Sequence, residues 1–123
     1  MAGSTRERGR LALGFRALGE ELRPRRLLPY TQPVLLSDSD IDAALADLPK
    51  WRREGAEIAT EREFPTYKDG LVFATAVGWF ADAADHHPDL KIGYQKVEIR
   101  LSSHDAGGIT KRDVNLARKI DGL

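Results

Sequence analysis

The spacing of hydrophobic residues changes along the chain, and each change predicts an element of secondary structure. From Ser37 to Leu48 apolar residues recur every three or four positions behind a serine that can cap a helix, so we predict a helix that Pro49 ends. The next segment, Trp51 to Tyr67, contains two short charged stretches that we interpret as strands.

The second half of the chain also contains segments with the hydrophobic spacing of a helix and segments with that of a strand. Asp69 is the predicted N-cap of a long helix that ends near Asp85. In "YQKVEIRLS" every second residue is apolar, which predicts a strand with one buried face, and "HPDLKIGY" is a candidate for a further strand. A last helix begins after Thr110, and Asp113 follows at the spacing of a capping box. We expect the long helix to bury Val72, Phe73, Ala76, Val77 and Phe80.

The order of these elements predicts the fold class. Helix, strand, strand, helix, strand, helix is the order expected of an α+β domain. We therefore predict an antiparallel four-stranded sheet with about three helices packed on one face. The chain has 123 residues, which is the length of a single domain with a sizeable core.

The first part of the chain differs in charge from the rest. Between Met1 and Tyr30 there are seven arginines and three glutamates, a net charge of +4 in a chain whose total is zero. Prolines 24, 29 and 33 then mark a linker. We predict that residues 1–33 form a loosely ordered basic extension and that residues 34–123 form the folded domain. A basic arm could bind an acidic protein partner.

Composition excludes several classes of function. The chain has no cysteine, so disulfides, thiol nucleophiles and cysteine–zinc sites are excluded. Zero net charge argues against direct binding of nucleic acid, and no apolar run reaches the roughly 18 residues of a membrane span. The lack of a visible secretory signal favours a cytoplasmic protein.

The three histidines are the candidate chemistry, and three interpretations of them stay open. His86 and His87 are adjacent, Pro88 follows, and His104 lies beyond the next strand. A histidine at a helix end gains about 0.3–1 kcal/mol from the helix dipole, which explains one of the pair as a cap. Metal binding is the second interpretation, with the carboxylates of Asp82, Asp85, Asp89 and Asp105 nearby.

General acid–base chemistry is the third interpretation. Histidine titrates near neutral pH and can therefore both donate and accept a proton. Asp82 lies four residues before His86, so if the helix continues its carboxylate can orient that ring and favour its protonated form. His104 could approach the pair from the side.

The spacing of these residues resembles the pterin-4a-carbinolamine dehydratase family. The likeness runs from about Leu36 to Ile120 and includes the stretch "YQKVEIRLSSHDAGGITKRDVNLARKI". Leu90 departs from the pattern, because many relatives carry an aromatic residue close behind the histidines. The matching positions are Asp82, His86-His87-Pro88, Tyr94, His104 and Asp113.

The resemblance implies an enzyme, a hydro-lyase that converts 4a-hydroxytetrahydropterin to quinonoid dihydropterin. Such a reaction recycles the pterin that an aromatic amino-acid hydroxylase has used. No metal and no organic cofactor are implied. The resemblance also implies a homodimer or homotetramer.

The resemblance assigns roles to the matching residues. His86 and His104 would be the acid–base pair, with Asp82 orienting His86. Asp113 is either a capping residue or a catalytic one, or both, and Tyr94 either packs on the sheet or belongs to the site. The catalytic set is then His86, His104, Asp82 and Asp113, and the substrate-binding set is His86, His87, Pro88, Ser103, His104, Asp105 and Ala106.

A second class of function stays open on the same fold. Some relatives act as dimerisation cofactors of a transcription factor, and others as assembly factors of a carbon-fixing enzyme. Fold alone does not separate a catalyst from a binding protein, because function depends on the site.

Overall fold

The structure, a computed structural model, describes residues 32–123. The basic extension predicted for residues 1–33 therefore lies almost wholly outside the described residues. Within the described range there are three helices and four strands. In chain order they are α1 (Asp38–Ala46), β1 (Arg52–Glu54), β2 (Glu57–Glu63), α2 (Tyr67–Ala84), β3 (Asp89–Ile92), β4 (Lys96–Leu101) and α3 (Lys111–Asp121).

The strands form one antiparallel sheet with the order β1-β2-β4-β3. A tight turn joins β1 to β2, and Gly55 occupies it with φ +62°, a left-handed conformation that favours glycine. The weakly patterned segment before β4 does form the fourth strand. The predicted α+β fold with helices packed against an antiparallel sheet is confirmed.

The core forms where the helices meet one face of the sheet. Val97, Ile99 and Leu101 alternate along β4 and have no exposed surface, as the period-two pattern predicts. They pack in one cluster with residues of all three helices. These include Ile41 of α1, Val77 and Ala81 of α2, and Leu116 and Ile120 of α3.

The opposite face of the sheet carries charged side chains. Arg100 of β4 pairs with Glu54, Glu57 and Glu98, and Arg52 pairs with Glu54. Hydrogen bonds from Arg52 and then from Arg100 hold the pKa of Glu54 below its usual value. The helices cover only the apolar face of the sheet. The charged side chains on the other face can stay in contact with water without a free-energy penalty for desolvation.

The long helix α2 differs from the prediction at its start. Its N-cap is Thr66, whose hydroxyl accepts a hydrogen bond from the backbone N–H of Asp69 at 3.1 Å. Asp69 was the predicted cap, and it lies instead in the first turn. Threonine and aspartate both cap helices, and the tertiary structure starts the helix at the threonine, three residues before the predicted cap.

The buried face of α2 was also predicted incorrectly. Val77 is buried as expected, but Val72 is 69% exposed and Phe80 is exposed as well, while Phe73 and Ala76 are half-buried. The helix is apolar on two sides, and its smaller residues face the sheet because they allow a close approach. The buried residues are Gly70, Ala74, Val77 and Ala81.

No helix within residues 32–123 combines the length and hydropathy that crossing a lipid bilayer requires.

Shortening Val77 tests this core. Val77→Ala should lower the free energy of unfolding by about 1–3 kcal/mol, because it removes two buried methyl groups and leaves a cavity. The matched control is Val34→Ala, at a side chain that is 80% exposed, and it should change stability by no more than about 0.5 kcal/mol. Urea unfolding followed by circular dichroism measures both, and equal effects would contradict the assigned core.

Candidate active site

The two adjacent histidines lie just beyond the end of α2. The helix ends at Ala84, because Asp85 takes a left-handed conformation with φ 52° and ψ 41°. The backbone N–H of His86 still bonds to the carbonyl oxygen of Ala81 at 3.1 Å. This reversal sends the two rings into different surroundings: His86 is only 8% exposed, whereas His87 is exposed.

The carboxylate of Asp113 is the partner of His86. Asp113 lies in the first turn of α3 and has no exposed surface. Its Oδ1 is 2.6 Å from Nε2 of His86. Its Oδ2 accepts hydrogen bonds from the backbone N–H of Thr110 at 2.9 Å and from the hydroxyl of Ser103 at 3.0 Å. The predicted capping box is confirmed, and Asp113 holds His86 at the same time.

The predicted contact between Asp82 and His86 is not formed. The Oδ1 of Asp82 lies 3.0 Å from Nε2 of His87, and both side chains are exposed. A spacing of four residues brings two side chains together only while the helix continues. Because α2 ends before His86, Asp82 reaches the second histidine, and the first turns inward to Asp113.

His104 lies in a short loop after β4. The loop is closed by two backbone hydrogen bonds between Ser103 and Gly108, at 2.8 and 3.2 Å, and Gly107 has φ +77° at its turn. His104 is exposed and directly follows Ser103, whose hydroxyl bonds to Asp113. The carboxylate of Asp113 therefore links the buried His86 to the loop that carries His104.

The remaining predicted residues lie around this loop with different degrees of exposure. Ala106 is half-buried, and exposed Asp105 contacts the guanidinium of Arg112 at 3.2 Å. Pro88 is half-buried between the histidines and β3. Tyr94 is 76% exposed in the turn before β4, so of its two alternatives packing on the sheet is not supported.

Two contributors were missed by the sequence reasoning. Thr110 was recognised only as a cap, yet its hydroxyl is 2.8 Å from that of Ser103, inside the buried network. Arg112 was not considered, and it holds the loop through Asp105. The sequence between Ser103 and Asp113 could have indicated both residues, because several hydroxyl and charged residues lie there close to the N-cap of α3.

The hydrogen bonds define which nitrogen of His86 is available for chemistry. An ionised carboxylate only accepts hydrogen bonds, so His86 donates from Nε2 to Asp113. Its Nδ1 is then the ring nitrogen that can exchange a proton with a ligand. Within residues 32–123, no three histidine or acidic side chains converge as metal ligands, so the metal interpretation has no support in this part of the chain.

Fold and site together define a class of protein. It is a four-stranded α+β domain with two histidine–carboxylate pairs at the end of one helix. A family model described as Pterin 4 alpha carbinolamine dehydratase matches residues 34–123. The chain belongs to this family, as the motif spacing predicted.

Individual relatives agree with the family assignment. A protein of Natronomonas pharaonis named "Putative pterin-4-alpha-carbinolamine dehydratase" is 47% identical over 88 residues, which are 72% of this chain and 94% of the relative. A protein of Roseiflexus castenholzii with the same name is 44% identical over 90 residues, 73% of this chain and 97% of the relative.

A solved structure agrees with the fold. The crystal structure of a transcriptional coactivator/pterin dehydratase from Brucella melitensis superposes with a TM-score of 0.69. Its sequence is 27% identical, and the match covers 72% of this chain and 96% of that one.

Removing the Asp113 carboxylate should destabilise the domain. Asp113→Ala leaves the N–H of Thr110, the hydroxyl of Ser103 and the ring of His86 without their buried partner, so we expect a loss of about 3–5 kcal/mol in the free energy of unfolding. Asp113→Asn keeps the shape and some of the hydrogen bonds and should lose less. Urea unfolding measures both, and a loss below about 1 kcal/mol for Asp113→Ala would contradict the central role of this side chain.

Proposed function

We propose that this protein dehydrates 4a-hydroxytetrahydropterin to quinonoid dihydropterin, as part of pterin recycling in the cytoplasm. The observation that carries the proposal is the contact of 2.6 Å between buried Asp113 and His86, within hydrogen-bonding reach of the loop that bears His104. Membership in the dehydratase family and the names of the relatives support the substrate class.

The reaction needs one acid and one base. The C4a–O bond breaks as the acid protonates the leaving hydroxyl group, which departs as water. The base takes a proton from the pterin nitrogen system, and the electron pair left behind completes the quinonoid ring. His86 and His104 supply these two groups, and positioned acids and bases of this kind contribute about 10²–10⁴ in rate.

The carboxylates assist the two histidines next to them in different ways. Asp113 fixes the ring of His86, and this orienting role is the one that the sequence had suggested for Asp82. Asp82 holds exposed His87, which binds the pterin. The loop from Ser103 to Ala106 offers backbone and side-chain polar groups to the pterin ring.

A binding function on the same fold is the second candidate. The Brucella melitensis protein is described as a transcriptional coactivator as well as a pterin dehydratase. The exposed apolar side of α2, with Val72 and Trp79, is a surface on which a protein can dock. The contact between Asp113 and His86 would also stabilise a scaffold, but exposed His87 and His104 take no part in that buried network, so catalysis is the main proposal. The protein is proposed to act as a homodimer or homotetramer.

Two alanine substitutions test the acid–base pair. His86→Ala and His104→Ala should each lower kcat at least about tenfold, because each removes a proton-transfer group. His87→Ala should mainly raise KM, because His87 is assigned to binding. The assay is dehydration of synthetic 4a-hydroxytetrahydropterin followed by absorbance, with Lys119→Ala, an exposed residue in the last turn of α3, as the control. A wild-type rate no faster than buffer would refute the enzyme proposal.

A truncation tests whether the basic extension takes part. Removing residues 1–31 should leave kcat and KM nearly unchanged, because the hydrogen bonds described above for the site join residues within 32–123. Gln32 is retained because its side-chain amide donates a hydrogen bond to the backbone carbonyl of Asp105, in the loop from Ser103 to Ala106. A large loss of rate would mean that the extension completes the site.

A further inference from the structure

His104 differs from the other two histidines in how its ring is held. His86 and His87 each contact a carboxylate, whereas the exposed ring of His104 forms no hydrogen bond or ion pair with a side chain of residues 32–123. A ring without such a partner can be placed only through its own backbone. The residues that fix this stretch of backbone therefore matter for the proposed acid–base chemistry.

The two residues that flank His104 are both held by the first turn of α3. On one side, the hydroxyl of Ser103 donates a hydrogen bond to Oδ2 of Asp113 at 3.0 Å. On the other side, one guanidinium nitrogen of Arg112 contacts both carboxylate oxygens of Asp105, each at 3.2 Å. Arg112 and Asp113 are consecutive in the sequence, so two neighbouring side chains hold the loop immediately before and immediately after His104.

Backbone hydrogen bonds join the loop into one compact turn. The N–H of Ala106 donates to the carbonyl oxygen of Ser103 at 3.0 Å, and the N–H of Gly107 donates to that of His104 at 3.2 Å. Asp105 lies inside both of these bonded turns. Holding the side chain of Asp105 therefore also fixes the direction in which His104 leaves the loop.

We propose that Arg112 is a positioning residue for His104 and that it acts through the carboxylate of Asp105. This role rests on the proposed function, in which His86 and His104 are the acid–base pair. Asp113 fixes the ring of His86, so residues 112 and 113 together set the placement of one catalytic histidine relative to the other. The carboxylate of Asp105 then holds the loop, and it does not bind the pterin.

The exposure of this ion pair separates positioning from stability. The side chains of Arg112 and Asp105 are 37% and 40% exposed, and ion pairs in such contact with water contribute little to the free energy of unfolding. Removing one partner should therefore leave the domain folded. The rate of proton transfer, in contrast, depends steeply on the geometry of the reacting groups, so a small displacement of His104 lowers it strongly.

The kinetics of Arg112 variants test the positioning role. Arg112→Gln should lower kcat at least about fivefold and leave KM within about twofold, because a proton-transfer group is displaced while the binding groups stay. Arg112→Lys should keep most of the rate, since one ammonium group can contact both oxygens as the single guanidinium nitrogen does. The matched control is Arg118→Gln, at an exposed arginine in the last turn of α3, and it should change neither constant. A raised KM at unchanged kcat for Arg112→Gln would overturn the proposal.

A double-mutant cycle separates the positioning of His104 from a general structural effect. In the His104→Ala background, Arg112→Gln should lower kcat by no more than about twofold further, because the group that it positions is already absent. In the His87→Ala background it should keep its full effect on kcat, because His87 is assigned to binding. A full further loss in the His104→Ala background would overturn the proposal.

Asp105→Ala tests the same contact from its other side, and it replaces Arg112→Gln if circular dichroism shows that the glutamine variant does not fold. It should lower kcat with KM nearly unchanged, as Arg112→Gln does. The double variant should lose less than the product of the two single losses, because both remove one interaction. A fully multiplicative loss, or a raised KM at unchanged kcat, would overturn the proposal.

Amide hydrogen exchange of the full chain, followed by NMR, does not depend on catalysis. In Arg112→Gln the amides of Ala106 and Gly107 should exchange at least about threefold faster, because the loop opens more often, while the amide of Val77 in α2 should change far less. Unchanged exchange at both loop amides would overturn the proposal. A wild type without dehydratase activity, together with faster exchange in the variant, would count against the proposed function alone.

Discussion

The structure depends on one buried negative charge, the carboxylate of Asp113. A charge without exposed surface is costly unless it is fully paired, and here the amide of Thr110, the hydroxyl of Ser103 and the ring of His86 all bind to it. These partners come from the start of α3, the loop after β4 and the end of α2. Satisfying one carboxylate therefore fixes three segments relative to one another, and those segments carry all three histidines or adjoin them.

This pairing gives two adjacent residues different chemistry. His86 is drawn inward, where Asp113 fixes its ring and leaves Nδ1 for proton exchange, while His87 stays at the surface with Asp82. The left-handed Asp85 makes the division possible, because a continuing helix would have carried both rings along its own surface. The proposed dehydration needs an acid, a base and a binding group, and the three histidines lie in three different environments.

Helix α2 connects the site to the outer surface of the molecule. Its small residues meet the sheet, Val72 and Trp79 are exposed on its other side, and its last turn carries Asp82. One element therefore contributes both to the core and to the histidine pair.

The sequence by itself determined the features that depend on near neighbours. The alternation in β4, the capping box of Thr110 and Asp113 and the family spacing of the histidines were all readable, because periodicity and capping act within a few residues. Local reasoning instead placed the cap of α2 at Asp69 and its buried face on the side of Val72 and Phe80, and the structure contradicts both. Only the tertiary structure chose Thr66, placed Gly70 and Ala74 inward, and paired His86 with Asp113 across 27 residues instead of with Asp82. Those choices were decided by which surfaces meet across the core and by the need to satisfy a buried charge, and neither depends on distance along the chain.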